Sequence, residues 1–266
     1  MGKGRITKEE QEYRIRMLLR FIFIFRYATR EQLFKFAQDR LGLSYRRWLI
    51  DYSVKRGLIA AYREPALSLR VYYLTQRGKE CISKYEPFSG YYRFNHKNAG
   101  LNTLEHQKAV IESYFFLYKQ LEIKEWIPEW VIRKDRKTRS KIPDGVIVTS
   151  SGVKIALEVE TWYKKKSAWE IVVYGYSREI SYTLPEYSRY DVVLIVAPSS
   201  SNFDGIKNRL FYIKPEFSKR AFILADLLSL DTGNCFYQDE YMTMKEALRL
   251  ICDERPIKAQ RVDPPA

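Results

Sequence analysis

The chain has 266 residues, of which 46% are hydrophobic and 29% charged, a balance that excludes a disordered polyelectrolyte and is long enough for two packed domains. Its formal net charge is +14 at pH 7, and the excess is uneven: residues 1–100 hold 21 Lys and Arg against 9 Asp and Glu, whereas residues 101–266 hold 25 against 23. That distribution points to a polyanion, a nucleic acid, as the partner of the first part.

An amphipathic helix is predicted over 9–27, with Ile15, Leu18, Leu19, Ile22, Phe23 and Phe25 mostly three and four apart. Thr29-Arg30-Glu31-Gln32 has the form of a capping box and opens a second helix that ends near Leu41-Gly42. Ser44 is a good cap for a third helix, which Gly57 terminates. Strands follow over 58–64 and 69–74, joined by Pro65-Ala66-Leu67-Ser68. Three helices and a two-stranded ribbon make a winged helix-turn-helix, whose third helix enters the major groove. The candidate DNA contacts are Arg46, Arg47, Lys55 and Arg56 on that helix and Arg63 and Arg70 on the ribbon. A short helix capped by the Thr75-x-x-Gly78 phrase closes the domain, and residues 86–100 read as a linker whose Tyr91, Tyr92 and Phe94 are expected to pack back on a domain rather than stack on bases.

A long helix is predicted over 102–122 and a strand over 129–132. Residues 133–141 are then a cationic loop, in which Lys134, Arg136, Lys137 and Arg139 are candidate phosphate contacts. The stretches 142–148 and 156–160 read as buried strands of a hairpin turning at Thr149-Ser150-Ser151-Gly152. This pairing brings Asp144 beside Glu158 and Glu160, which are two apart and share a face. Three converging carboxylates repel one another, and a hard cation such as Mg²⁺ or Mn²⁺ relieves the repulsion. Beyond the hairpin the sequence predicts a helix reaching about 180, a strand over 191–197, a helix over 203–211, a strand over 220–227, a helix over 244–252 and a frayed tail.

Pro143-Asp144 followed by Glu158 resembles the PD-(D/E)xK nuclease superfamily, and the order from residue 102 (helix, three strands, helix, strand) is that superfamily's αβββαβ core. The resemblance implies a catalytic set of Asp144, Glu158 and Glu160, with Asp144 and Glu158 holding Mg²⁺ or Mn²⁺. It also implies an acidic partner from the first helix, Glu112 first and Glu105 second. Glu160 stands where the superfamily has its Lys and cannot supply that positive charge, although some restriction endonucleases of the superfamily carry E-x-E.

The chain as a whole resembles the replication-relaxation family of plasmids and integrative elements. The likeness rests on Thr29 to Leu33, on Tyr72 to Gly78, on His106, on Pro143-Asp144-Gly145 and on Leu157-Glu158-Val159-Glu160. It implies a mobile-element DNA-binding protein of two domains: a winged helix over 1–85 and, after the linker, a PD-(D/E)xK-like α/β domain over 101–255, with 256–266 a flexible tail. His106, on a helix, is more often a hydrogen-bonded structural residue than a base.

Three functions remain open. They are an accessory or regulator of plasmid replication or transfer with a nuclease-like second domain, a Mg²⁺-dependent DNA endonuclease, and a protein-interaction scaffold. The partners expected are double-stranded DNA, replication or relaxase proteins, and a second copy of the chain. Cys81, Cys235 and Cys252 are far apart and without a C-x-x-C, which fits a reducing cytoplasm. The apolar run Phe21 to Phe25 is far short of the about 20 residues a bilayer requires, so no membrane contact is expected.

Overall fold

A computed structural model describes residues 7–43, 47–64, 69–85, 101–134, 141–161, 164–180, 188–197 and 199–253. Ser44, the 65–68 turn, the 86–100 linker with Tyr91, Tyr92 and Phe94, and the 256–266 tail lie outside the described residues. So do Arg46, Arg136, Lys137 and Arg139, and the side chain of Arg47. The chain divides into two compact units, 1–111 and 112–266, and the division falls inside the long helix rather than in the 86–100 segment.

The first unit opens with α1 (Lys8–Phe25), whose cap Thr7 accepts a hydrogen bond from the Glu10 amide. Its buried stripe includes Ile15, Leu18, Leu19 and Ile22, the positions that the three-and-four spacing selects. The helix breaks at Arg26, where φ is +70°, and the chain enters a short strand, β1 (Tyr27–Thr29). That strand is not legible in the sequence, because Tyr27 falls within the helix predicted over 9–27 and three residues carry no strand period of their own. Next come α2 (Arg30–Leu41), α3 (Arg47–Lys55), β2 (Ile59–Glu64), β3 (Leu69–Leu74) and α4 (Gln76–Ser83). The Thr29–Gln32 capping box of α2 is complete in both directions, and Gly42 ends the helix in the left-handed region. The three strands form an antiparallel sheet in the order β1-β3-β2.

The phrase from Tyr72 to Gly78 has a steric reason. Thr75 caps α4 and also donates through Oγ1 to the Gly57 and Leu58 carbonyls. This clamps the start of α4 onto the end of α3, and a Cβ at Gly78 would lie 2.0 Å from the Leu58 carbonyl oxygen. Only glycine fits there. The helix α5 (Leu101–Gln120) crosses the division, and its first turns belong to this unit. Leu104 packs with Tyr27 and Val71, Gln107 donates to the Phe25 carbonyl, and Gln32 donates to the Lys108 carbonyl.

The second unit is built on a seven-stranded mixed sheet. In chain order its elements are β4 (Ile123–Pro128), α6 (Glu129–Lys134), β5 (Gly145–Thr149), β6 (Lys154–Val159), α7 (Lys166–Tyr176), β7 (Val192–Ala197) and α8 (Ser200–Tyr212). They continue with α9 (Pro215–Ala221), β8 (Phe222–Asp226), α10 (Leu227–Thr232), β9 (Asn234–Tyr237), β10 (Glu240–Thr243) and α11 (Met244–Asp253). The sheet order is β10-β9-β8-β7-β6-β5-β4; β6, β7 and β8 are parallel, and the strands outside them pair antiparallel. The protein is thus a mixed α/β chain.

The strand expected over 129–132 is instead the helix α6, and the strand lies just before it, ending at Pro128 on the sheet edge. A proline that lacks an N–H is tolerated on an edge strand. Trp126 of β4 lies opposite Ile147, and its ring fills the space over Gly145, where a Cβ would come within 2.6 Å of it. The α9 helix and the β9–β10 hairpin are additional to the elements read from sequence. Among the described residues no helix is long and apolar enough to cross a membrane.

Candidate functional site

The β5–β6 hairpin turns at Gly152, where φ is +81°, and its register sets Gly145 opposite Leu157. One step further out, Asp144 comes level with Glu158. The Asp144 amide donates to the Leu157 carbonyl at 2.9 Å, and its Oδ2 accepts from the Val159 amide at 2.8 Å. Glu158 lies in β6, and Glu160 lies one residue beyond it, where its amide extends the parallel ladder by donating to the Val196 carbonyl. Strand alternation puts Glu158 on the side of Ala156, the side of the sheet that packs against Trp169, Val172, Val173 and Tyr176 of α7. Both glutamates are therefore buried, at 2% and 3% exposure.

Buried carboxylates require partners, and each finds one. Lys141 places Nζ 2.8 Å from Glu158 Oε2, and the Tyr176 hydroxyl donates to Glu158 Oε1. Lys164 donates to Glu160 Oε1 and lies over the Trp169 ring, 5.6 Å from its centroid. Arg209 of α8 donates to the Lys164 carbonyl at 3.1 Å, which ties this lysine's backbone to a second helix. The group sits at the carboxyl end of β6, beside the carboxyl ends of β7 and β8. In open α/β sheets that end is where ligands bind.

Burial, with the charge of Asp144 added, pushes the Glu158 carboxyl up to about 7 against the opposing pull of Lys141 and Tyr176. Burial also raises Glu160, and Lys164 opposes it. Burial and the neighbouring Glu158 hold the Tyr176 phenol well above its ordinary range. Burial alone would lower Lys141, but Glu158 outweighs it and the lysine is raised. Near neutral pH, then, Glu158 exchanges its proton while Lys141 and Tyr176 keep theirs.

A Mg²⁺ or Mn²⁺ ion needs free, converging oxygens. Both Glu158 oxygens, Glu160 Oε1 and Asp144 Oδ2 are engaged by protein groups, so such an ion would have to displace or share the contacts of Lys141, Tyr176 and Lys164. Among the described residues no group of three His, Cys, Asp or Glu side chains is arranged to hold a metal. Glu112 is half-buried on α5, and Asp144, Lys141 and Lys164 are among the charges that shift Glu158 and Glu160. Glu105 is exposed and His106 partly buried, both in the first unit.

Lys55 is exposed at the end of α3. Arg56, also exposed, is turned onto Tyr52, donating to its hydroxyl at 3.0 Å with the guanidinium 5.4 Å from the ring centroid. Arg63 and Arg70 stand directly opposite each other across β2 and β3, both exposed and on one face. Lys134 is not in a loop: it ends α6, exposed, with its ammonium 5.6 Å from the Trp130 ring centroid.

Comparison with family models, with curated proteins and with solved structures finds no match to this chain. The site is therefore known by its own geometry. Three of its members escape a reading of the sequence: Lys141, Lys164 and Tyr176. Lys141 is hidden as the last cation of a basic run, although its place three residues before Asp144 brings it to the same strand end. Lys164 is four residues from Glu160, a spacing legible in hindsight. Tyr176 carries no local signal, because only the packing of α7 on the sheet brings it to Glu158.

Proposed function

We propose that this chain is a DNA-binding protein of a mobile element, an accessory to plasmid replication or transfer, with a winged helix in its first unit and a PD-(D/E)xK-like second unit. The observation that carries the DNA reading is the Arg63–Arg70 pair. Like charges directly opposite on neighbouring strands are destabilising, and here two guanidiniums share one exposed face of the ribbon that would flank a recognition helix. A phosphate between them relieves the repulsion with charge-assisted hydrogen bonds. The +12 net charge of unit 1, from 22 Lys and Arg against 10 Asp and Glu, supports the same reading. For the second unit, support comes from the β4-β5-β6-β7 order, antiparallel then parallel, with Asp144 and Glu158 level across β5 and β6.

The test is binding of the full-length protein to labelled duplex DNA over a range of salt. A steep salt dependence is expected, and Arg63→Ala with Arg70→Ala should flatten the plot of log K against log salt by about 0.9 for every phosphate no longer neutralised. A slope unchanged by the double substitution sinks this use of the ribbon.

A second reading, that the site cleaves DNA, has one observation in its favour. Lys141 stands against Glu158 and brings to the site the positive charge that Glu160 withholds. Incubation with supercoiled plasmid in Mg²⁺ or Mn²⁺ decides between them: nicking that Lys141→Ala and Asp144→Asn both abolish supports cleavage, and intact plasmid supports the accessory reading.

A further inference from the structure

We infer that the outer surface of α7 and α8 is a track for single-stranded DNA that starts at the carboxylate site. Tyr212 is 73% exposed, Ile171 69% and Tyr174 47%, a cluster of large apolar side chains left in water on two adjacent helices. Each of the two tyrosines carries a lysine: the Lys166 ammonium is 4.9 Å from the Tyr212 ring centroid, and that of Lys214 is 4.7 Å from the Tyr174 centroid. Lys214 also donates to the Ser177 hydroxyl at 3.3 Å, so the second pair sits toward the far end of α7. The first pair sits at its start, two residues from Lys164, which holds Glu160.

Alternating ring and ammonium is the chemistry of a single-strand platform. A base stacks on the ring face that the lysine leaves open, and the flanking phosphate meets the ammonium over the other face. A duplex hides its base faces and cannot use such rings. The local charge agrees. Residues 164–180 and 199–221 hold nine Lys and Arg against four Asp and Glu, whereas residues 112–266 as a whole hold 24 against 22. Of the nine, Lys164, Lys165, Lys166, Lys207, Arg209 and Lys214 lie on α7 and α8 or beside their ends, against Glu170 and Asp204. The inference extends the DNA reading above to a second surface and rests on it only for the choice of DNA over RNA. It requires no catalysis at Glu158.

The experiment measures binding of the full-length protein to labelled oligo-dT, to oligo-U of equal length, and to duplex DNA. Tyr174→Ala with Tyr212→Ala should weaken oligo-dT binding at least about fivefold for each ring removed, and leave duplex binding unchanged. Tyr174→Phe with Tyr212→Phe keeps the rings and should bind oligo-dT as the parent does, which also guards against a folding defect in the alanine variant. Equal oligo-dT affinity of the parent and the alanine variant overturns the inference, and so does a phenylalanine variant as weak as alanine. Oligo-U bound more than about tenfold tighter than oligo-dT overturns the assignment to DNA. Loss of oligo-dT binding in the alanine variant, beside Arg63→Ala/Arg70→Ala that leaves duplex binding intact, upholds this track while the ribbon reading fails.

Discussion

The candidate contact cations of the first unit and the site cations of the second stand in opposite surroundings. In the first, Lys55, Arg63 and Arg70 are exposed, and the fold beneath them is held by backbone turns, caps and an apolar core. In the second, Lys141 and Lys164 are turned onto two glutamates that are almost wholly buried. A surface cation costs folding little and remains available to an outside anion. A cation facing a buried carboxylate is part of the fold, and its removal leaves a charge without compensation. Lys166 at the start of α7 and Lys214 just before α9 are exposed, so the second unit also has cations that face no buried carboxylate.

The largest effect expected from this contrast is in the second unit. Lys141→Ala should destabilise the protein by about 3 kcal/mol at pH 8, because Glu158 then either stays charged without its ammonium or must take up a proton. Urea denaturation measures this, and Glu158→Gln added to Lys141→Ala should recover most of the loss. A cost below about 1 kcal/mol would mean that water or Tyr176 alone satisfies Glu158, and the contrast between the units would dissolve.

In the first unit the comparable damage must come from the backbone. Gly78→Ala drives a Cβ into the Leu58 carbonyl and should cost about 3 kcal/mol. Arg63→Ala with Arg70→Ala, which removes a like-charge pair, should leave the denaturation midpoint unchanged or raise it slightly. Should that double variant unfold as readily as Lys141→Ala, the ribbon arginines are structural after all. Thr29→Ala removes one half of a complete capping box and should cost about 1 kcal/mol by the same measurement.

A pH series sharpens the comparison further. The folded-state value of Glu158 is raised to about 7 from 4.5, so the folded state holds this proton more tightly than the unfolded chain. Its contribution to stability is fully present below about 4.5 and is lost as pH rises through about 7. Thermal melts should therefore show stability falling across that window in the parent, with the fall reduced in Glu158→Gln. The smallest effect belongs to an exposed pair: Arg249→Ala, whose partner Asp253 is itself exposed, should leave the melting temperature unchanged within error.

The sequence by itself determined the elements whose signals are local. The capping box at Thr29, the glycine stop at Gly42, the Thr75 cap, the buried runs of β5, β6 and β7 and the stripe of α1 each depend on residues within one or two turns of chain. The meeting of Asp144 with Glu158 was legible for the same reason, since a tight turn dictates which residues of a hairpin face each other. Tertiary structure alone decided the rest. Whether residues 129–132 are strand or helix depended on which neighbouring segment could pair with β5, and the better-placed alternation of Ile123 to Pro128 took that edge. The short β1 exists because β3 offers it an edge, not because three residues prefer to be extended. The first turns of α5 joined the first unit through Leu104 and Gln107, which meet residues roughly eighty positions away. Above all, what the carboxylates face was hidden from the sequence. Lys141, Lys164 and Tyr176 reach Glu158 and Glu160 from a strand approach, a connecting segment and a helix, and the need of a buried charge for a partner selects them only once the sheet and α7 have closed around it.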